Sequence, residues 1–309
     1  MLISSFFHTI DEVARLEKKV KKVQNKTIDV CNEYKGWKKM INTQPIGFID
    51  SGVGGLTVVK EARKQLPNEN IIYLGDTARC PYGPRPAEQV IEYTWEMTRF
   101  LLEKKIKMLV IACNTATAVA LEEIKKALTI PVVGVILPGT RAAVKATKNQ
   151  RIGIIGTVGT IKSDSYRQAI QTKVPDTEVF GLACPKFVPI VESNQFESSV
   201  AKKIVAEALL PLRNKKVDTL VLGCTHYPLL RPIIQNEMGA HVELIDSGAE
   251  TIGEVSMLLD YFDIANTPMT QAATNEFYTT GSTVMFDAIA QDWLKIDIQS
   301  KHIELGEKA

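Results

Sequence analysis

Leu109-Val110-Ile111-Ala112-Cys113-Asn114-Thr115-Ala116-Thr117 and Leu220-Val221-Leu222-Gly223-Cys224-Thr225-His226-Tyr227-Pro228 carry one pattern twice. In each, a short aliphatic run ends at a cysteine and gives way at once to small polar residues. Such a run reads as a buried strand; the polar break, with a helix-compatible stretch behind it, reads as a tight βα loop and a helix start. Open α/β sheets bind ligands at the carboxyl ends of their strands. The unpaired N–H groups of a helix start hold anions and favour a thiolate. One cysteine in such a place is often no more than a small buried hydrophobe. Two in matching positions imply a paired device. The simplest chemistry that needs two equivalent thiols takes a proton from one face of a carbon and delivers one to the other.

Outward from these segments the alternation is regular. Strands are expected near 46–50, 71–75, 107–112, 131–136, 152–156, 178–182, 218–223 and 242–246. Helical patterns fall at about 55–66, 86–104, 116–128, 139–147, 161–172, 197–210, 228–237 and 248–260. Phe277-Tyr278-Thr279-Thr280-Gly281, followed by Thr283–Leu294, adds a further strand and helix. Alternation of this kind predicts parallel sheets with helices on both faces. An internal repeat underlies it: the segment from Ile46 aligns with that from Ile152, an offset of 106, and the cysteine segments are offset by 111. The expected fold is therefore α/β, with two pseudo-symmetric lobes of mainly parallel sheet and the active site in the cleft between them. Residues 41–137 with 248–309 would form the first lobe and 138–247 the second.

Composition narrows the class. The chain has 309 residues, 45% of them apolar and 23% charged, as in a soluble globular protein. No apolar stretch reaches the roughly 18 residues of a membrane span. Met1-Leu2-Ile3-Ser4-Ser5-Phe6-Phe7 is too short for a signal sequence and has no basic region before it. Five cysteines (31, 80, 113, 184 and 224) in no recognised spacing argue for free thiols in a reducing cytoplasm. The net charge of +2 is uneven: residues 1–45 carry nine Lys/Arg against five Asp/Glu, which leaves −2 for the rest. The main body is thus not basic enough to suggest nucleic-acid binding by its field alone. Residues 1–40 read as a basic extension, helical where Val13, Leu16, Val20 and Val23 fall at three- and four-residue spacing. The regular pattern begins just after Met40, a candidate initiator.

Asp50-Ser51-Gly52-Val53-Gly54-Gly55 follows a strand and opens a helix. Its glycines would let the backbone approach an anion, but neither a P-loop nor G-x-G-x-x-G is present, so a nucleotide is not expected. Asp50 reads equally as a helix cap and as a carboxylate that binds an ammonium or accepts a thiol proton. An ordinary thiol is only a few per cent ionised at neutral pH, and His226, two residues from Cys224, is a candidate for shifting that proton. Zinc held by Cys113, Cys224 and His226 would lack a fourth ligand and the usual spacing, so no metal is expected. Asn114, Thr115 and Thr225 offer hydrogen bonds to a carboxylate, or simply cap helices. Cys80 and Cys184, each followed by proline, read as packing residues. Pro81–Pro86 reads as a rigid rim or as plain turn chemistry.

Taken together, Asp50–Thr57, Gly75–Arg85, Ala112–Ala118, Val191-Glu192-Ser193 and Gly223–Pro228 resemble the bacterial glutamate racemases of the aspartate/glutamate racemase family, in this order and across roughly 46–300. The resemblance implies interconversion of L- and D-glutamate without a cofactor, the D-enantiomer serving peptidoglycan, in a cytoplasmic homodimer that binds neither membrane nor nucleic acid. It implies that Cys113 takes the α-proton of D-glutamate while Cys224 protonates the opposite face, with the roles reversed from L-glutamate. Asp50 and His226 would assist the thiols, and Glu192 would support them. Asp50, Ser51, Asn114, Thr115, Thr225 and His226 would hold the amino and carboxylate groups, with Tyr82, Gly83, Thr157 and Thr160 in the pocket. The extension 1–40 departs from the pattern. Some family members with N-terminal additions respond to a wall precursor.

The residues themselves leave other readings open: an aspartate or hydantoin racemase, a one-thiol decarboxylase, a binding module, or a redox sensor pairing Cys113 with Cys224. A second thiol speaks against the decarboxylase, and a binding module needs neither thiols nor His226. All the motifs follow Met40. A chain that starts there is expected to fold and to keep a similar turnover rate, as circular dichroism and a racemisation assay would register.

Overall fold

The aliphatic runs settle into two sheets in a computed structural model that describes residues 42–266, 273–295 and 297–306. The first sheet takes β1 (Ile46–Asp50), β2 (Ile71–Gly75), β3 (Met108–Ile111), β4 (Val132–Gly134), β9 (Asn275–Thr279) and β10 (Lys301–His302), in the order β10-β9-β2-β1-β3-β4. The second takes β5 (Arg151–Gly156), β6 (Glu178–Ala183), β7 (Thr219–Gly223) and β8 (Glu243–Asp246), in the order β6-β5-β7-β8. Every pairing is parallel. All residues of β1, β2, β3 and β7 are buried. Helices cover both faces of such strands, so they read as unbroken apolar runs and not as alternating ones.

The repeat is visible in the topology. The order β2-β1-β3-β4 recurs as β6-β5-β7-β8, and Cys113 and Cys224 stand just beyond the third strand of each set, β3 and β7. The α/β class and the two pseudo-symmetric, mainly parallel sheets are as the sequence predicts.

Two helices join the sheets. Ile136–Ala146 leads from β4 toward β5, and Ser247–Tyr261 leads back from β8, packing against Ile136–Ala146 and against Leu56–Gln65. One apolar cluster runs through both sheets, from Phe48, Tyr73 and Val110 to Leu220, Leu222 and Tyr227. Gln44–Ala309 accordingly forms a single compact unit.

Three of the departures from the expected elements bear on the site. The helix expected at 161–172 is two, Val158–Lys162 and Ser165–Lys173, separated at Asp164, whose φ of 56° lies in the left-handed region. Phe187–Glu192 is a short helix that six residues are too few to announce by periodicity. The helix Asn114–Ala127 begins two residues earlier than expected, because Cys113 itself is its N-cap. The helical stretch expected within 1–40 lies outside the described residues. Among the described residues, no helix is long and apolar enough to cross a membrane.

The joining helices come close at Gly139, where a Cβ would lie 2.8 Å from Ser247 Cβ. Overpacking a well-filled contact costs about 1–3 kcal/mol. Gly139→Ala is expected to lower unfolding stability by about that amount, read from the urea midpoint at unchanged slope.

Candidate active site

The strand ends of the two sheets converge on one small cavity. It is lined from the first sheet by Ser51, Cys80, Pro81, Tyr82, Gly83, Cys113, Asn114 and Thr115, and from the second by Thr157, Val188, Cys224, Thr225 and His226. Its volume is 20 Å³, about the room of one water molecule. An amino acid enters only if the two sides part.

Cys113 is buried, and its sulfur accepts the Ala116 N–H at 3.5 Å, as a helix cap does. Its thiol donates to Ser51 Oγ at 3.6 Å. Burial, and then the negative charge of Asp50, push the Cys113 thiol up to about 12, against the pull of the Ala116 N–H and Ser51. Cys224 has different company. Its sulfur lies 3.8 Å from His226 Nδ1, and His226 Nε2 lies 3.1 Å from Glu192 Oε1. Burial alone would strip the proton from His226, but contacts to Cys224 and Glu192 outweigh it and raise the imidazole to about 10. Glu192 in turn is held below the usual carboxylate range: burial raises it, and His226 more than offsets this. The arrangement keeps a proton on His226 beside Cys224 and a carboxylate near Cys113.

Asp50 lies behind the cavity, fully buried. It accepts the Gly52 N–H at 3.0 Å and the Thr225 hydroxyl at 3.3 Å, and burial raises its carboxyl above the ordinary value. The glycine turn after it gives the Gly52 N–H to Asp50 itself and packs against side chains from the loop beyond β7. A Cβ on Gly54 would lie 2.3 Å from Thr225 Oγ1 and 2.5 Å from His226 Nδ1. The glycines there make room for the partner loop. On the opposite rim Thr115 Oγ1 meets Thr157 Oγ1 at 2.9 Å and Thr160 Oγ1 at 3.2 Å, and the Gly159 N–H donates to Gly83 O at 2.8 Å.

Of the residues expected from the sequence, Ser51, Tyr82, Gly83, Cys113, Asn114, Thr115, Thr157, Cys224, Thr225 and His226 line the cavity. Asp50, Glu192 and Thr160 stand one contact behind it. Cys80 corrects the sequence reading. Expected as packing, it lines the cavity and donates to Glu192 Oε1 at 3.3 Å, the oxygen that faces His226. Cys184 is buried, as a packing residue would be. Of the stretch 81–86, Pro81, Tyr82 and Gly83 line the cavity; Tyr82 donates to Asp76 Oδ2, and Arg79 Nε meets the same oxygen at 2.7 Å. Val188, from the short helix, had no signal in the sequence. Among the described residues no group of three or more His, Cys, Asp and Glu is arranged to hold a metal.

The chain belongs to the Asp/Glu/Hydantoin racemase family, which it matches over residues 56–255. Within that family its relatives are more specific. It is 73% identical to the glutamate racemase of Enterococcus faecalis over 268 residues, 86% of this chain and 98% of that protein. The crystal structure of a glutamate racemase isoform of Bacillus anthracis matches at 45% identity with a TM-score of 0.83, over 85% of this chain and 98% of the other. A glutamate racemase of Francisella tularensis, solved in complex with D-glutamate, matches at 32% identity and a TM-score of 0.80, with the same coverage.

An imidazole that binds its proton more tightly folded than unfolded stabilises the fold fully below its ordinary value of 6.5, and that contribution is lost as pH rises through about 10. Glu192→Gln removes the carboxylate that holds the proton. The His226 ring is then expected to titrate at lower pH by nuclear magnetic resonance, and the alkaline loss of stability to begin earlier.

Proposed function

We propose that this protein interconverts L- and D-glutamate, with Cys113 and Cys224 exchanging protons at opposite faces of the α-carbon and no cofactor taking part. The observation that carries the reading is the placement of the two thiols beyond equivalent strands of two like-ordered sheets, both lining one cavity. Glutamate is the substrate of the relatives by name, at 73% and 66% identity over most of the chain.

In the reaction, a thiolate takes the α-hydrogen as a proton and forms S–H. The C–H electron pair passes to a planar carbanion delocalised into the carboxylate. The opposite thiol then gives its proton to the other face. From D-glutamate Cys113 is the base and Cys224 the acid; from L-glutamate the roles reverse. Each turnover leaves the thiols in the protonation state that the other enantiomer requires.

The surroundings of the thiols fit these roles. An α-hydrogen is feebly acidic, so donors at the carboxylate must stabilise charge as it develops, in a site closed to water. Ser51, Asn114, Thr115 and Thr225 supply them. Tyr82, Gly83, Thr157 and Thr160 shape the pocket and its closure. The substrate ammonium near Asp50 offsets the negative field that, with burial, keeps the Cys113 proton in place. Protonated His226, backed by Glu192, stands 3.8 Å from the Cys224 sulfur. Substrate entry requires the cavity to open, with the bodies built on the two sheets separating and closing again over glutamate. The same reading puts the enzyme in the cytoplasm as a homodimer that supplies D-glutamate for peptidoglycan.

With dialysed, EDTA-treated protein, the optical rotation of L-glutamate is expected to decay to zero; activity only on adding pyridoxal phosphate would refute the reading. Cys113→Ala and Cys224→Ala are each expected to abolish racemisation in both directions. In deuterated water Cys224→Ala should keep more α-hydrogen exchange with D-glutamate, and Cys113→Ala more with L-glutamate. Equal exchange of both enantiomers by both variants would remove the two-thiol assignment.

A further inference from the structure

Asn114 is 2% exposed and lines the cavity between Cys113 and Thr115. Its two amide atoms are treated differently. The Oδ1 accepts the Tyr166 hydroxyl at 2.7 Å, with both groups buried, whereas Nδ2 has no hydrogen-bond partner. A buried donor without a partner is costly, so native structures seldom keep one for nothing. The two N–H bonds of Nδ2 are free for an acceptor brought by the ligand.

Nothing in the shape of an amide decides which end faces the cavity; the hydrogen-bond network does. Here Tyr166 donates its one O–H to Asn114 Oδ1 at 2.7 Å, while the neighbouring Ser247, at the start of the returning helix, donates its own to Leu222 O at 3.3 Å. Tyr166 comes from the helix Ser165–Lys173 beside the second sheet, while Asn114 opens the helix Asn114–Ala127 beyond β3 of the first. The phenol therefore reaches across from one sheet's helices to aim a side chain that belongs to the other.

We propose that Tyr166 is a positioning residue for the substrate carboxylate: its hydroxyl fixes the Asn114 amide with Nδ2 toward the cavity, so that Asn114 donates to a carboxylate oxygen of glutamate. The proposal rests on the reading of Asn114 as a substrate-binding group and adds the residue that makes it a donor. Without the phenol O–H, Asn114 Oδ1 loses its partner, and the amide is free to turn its oxygen toward an anion. The group transfers no proton, which is the thiols' part; it acts through a donor that holds the carboxylate alike in the bound state and as charge develops there. It also acts alike on both enantiomers, since it touches the carboxylate and neither face of the α-carbon.

The test is a double-mutant cycle on the full-length protein with both enantiomers of glutamate. Tyr166→Phe deletes only the hydroxyl and keeps the ring; thermal unfolding monitors its fold. Losing one hydrogen bond to a charged group is expected to raise KM about tenfold, with kcat within about twofold. The change in kcat/KM must be the same in both directions, because enantiomers have equal free energies. Asn114→Ala should raise KM at least as much. Adding Tyr166→Phe to Asn114→Ala should change nothing further, since the phenol then has no amide to aim. A hydroxyl that served only the stability of the fold would lower the unfolding temperature and leave KM where it was. If Tyr166→Phe leaves KM unchanged while Asn114→Ala raises it, the positioning role is overturned and Asn114 stands as a binding residue. If neither variant moves KM, the reading of Asn114 fails as well. If the two effects multiply in the double variant, Tyr166 acts by another route and the inference is wrong.

Discussion

The hydrogen bond from Thr225 to Asp50 joins the ends of two sheets, and the site depends on it. Thr225 follows Cys224 beyond β7; Asp50 ends β1, beside β3 and its Cys113. The carboxylate is fully buried and must be satisfied, and its partners are the turn that follows it and the loop that carries the other thiol. A buried carboxylate left without partners is costly, so the loops are held against each other by the need to solvate one charge. The absence of a Cβ at Gly54 gives Thr225 and His226 the room to come that close.

On a symmetric scaffold the chemistry is asymmetric. The repeat offset pairs Ser51 with Thr157, and both line the cavity; it pairs Cys113 with Cys224. It also pairs Asp50 with Gly156, and Thr115 with His226. The first half of the chain keeps a carboxylate where the second has none, and the second keeps an imidazole where the first has a hydroxyl. The proposed reaction accounts for this division. The α-hydrogens of two enantiomers held by the same anchors point to opposite faces, so the thiols are related by the pseudo-twofold. The ammonium and carboxylate anchors are common to both enantiomers, so they need no symmetric copy.

The legibility of the sequence varied with the range of the interaction. The strands were readable because burial on both faces demands continuous aliphatic runs, and the thiols because a cysteine at a strand end precedes a capped helix. Cys80 was misread: proline beside it suggested packing, and its partner Glu192 lies 112 residues away. Val188 and Tyr166 gave no signal at all. Each is an apolar or aromatic residue whose importance lies in the direction of one side chain, which composition and period do not encode. The glycine turn was recognised as a place of close approach; the side chains that come close at Gly54 are those of Thr225 and His226.

The sequence by itself determined the α/β class, the twofold repeat and the identity of the two strand-end thiols, since these follow from local burial and spacing. Asp50 and His226 were already candidates for partners of the thiols, and the tertiary structure decided the contacts they make. It put Asp50 near Cys113, Glu192 behind His226, and the Tyr166 hydroxyl on the Asn114 amide. These contacts join residues 34 to 63 positions apart, and the electrostatics of a buried group is set by what folding brings within a few ångströms of it, whatever its neighbours in the chain.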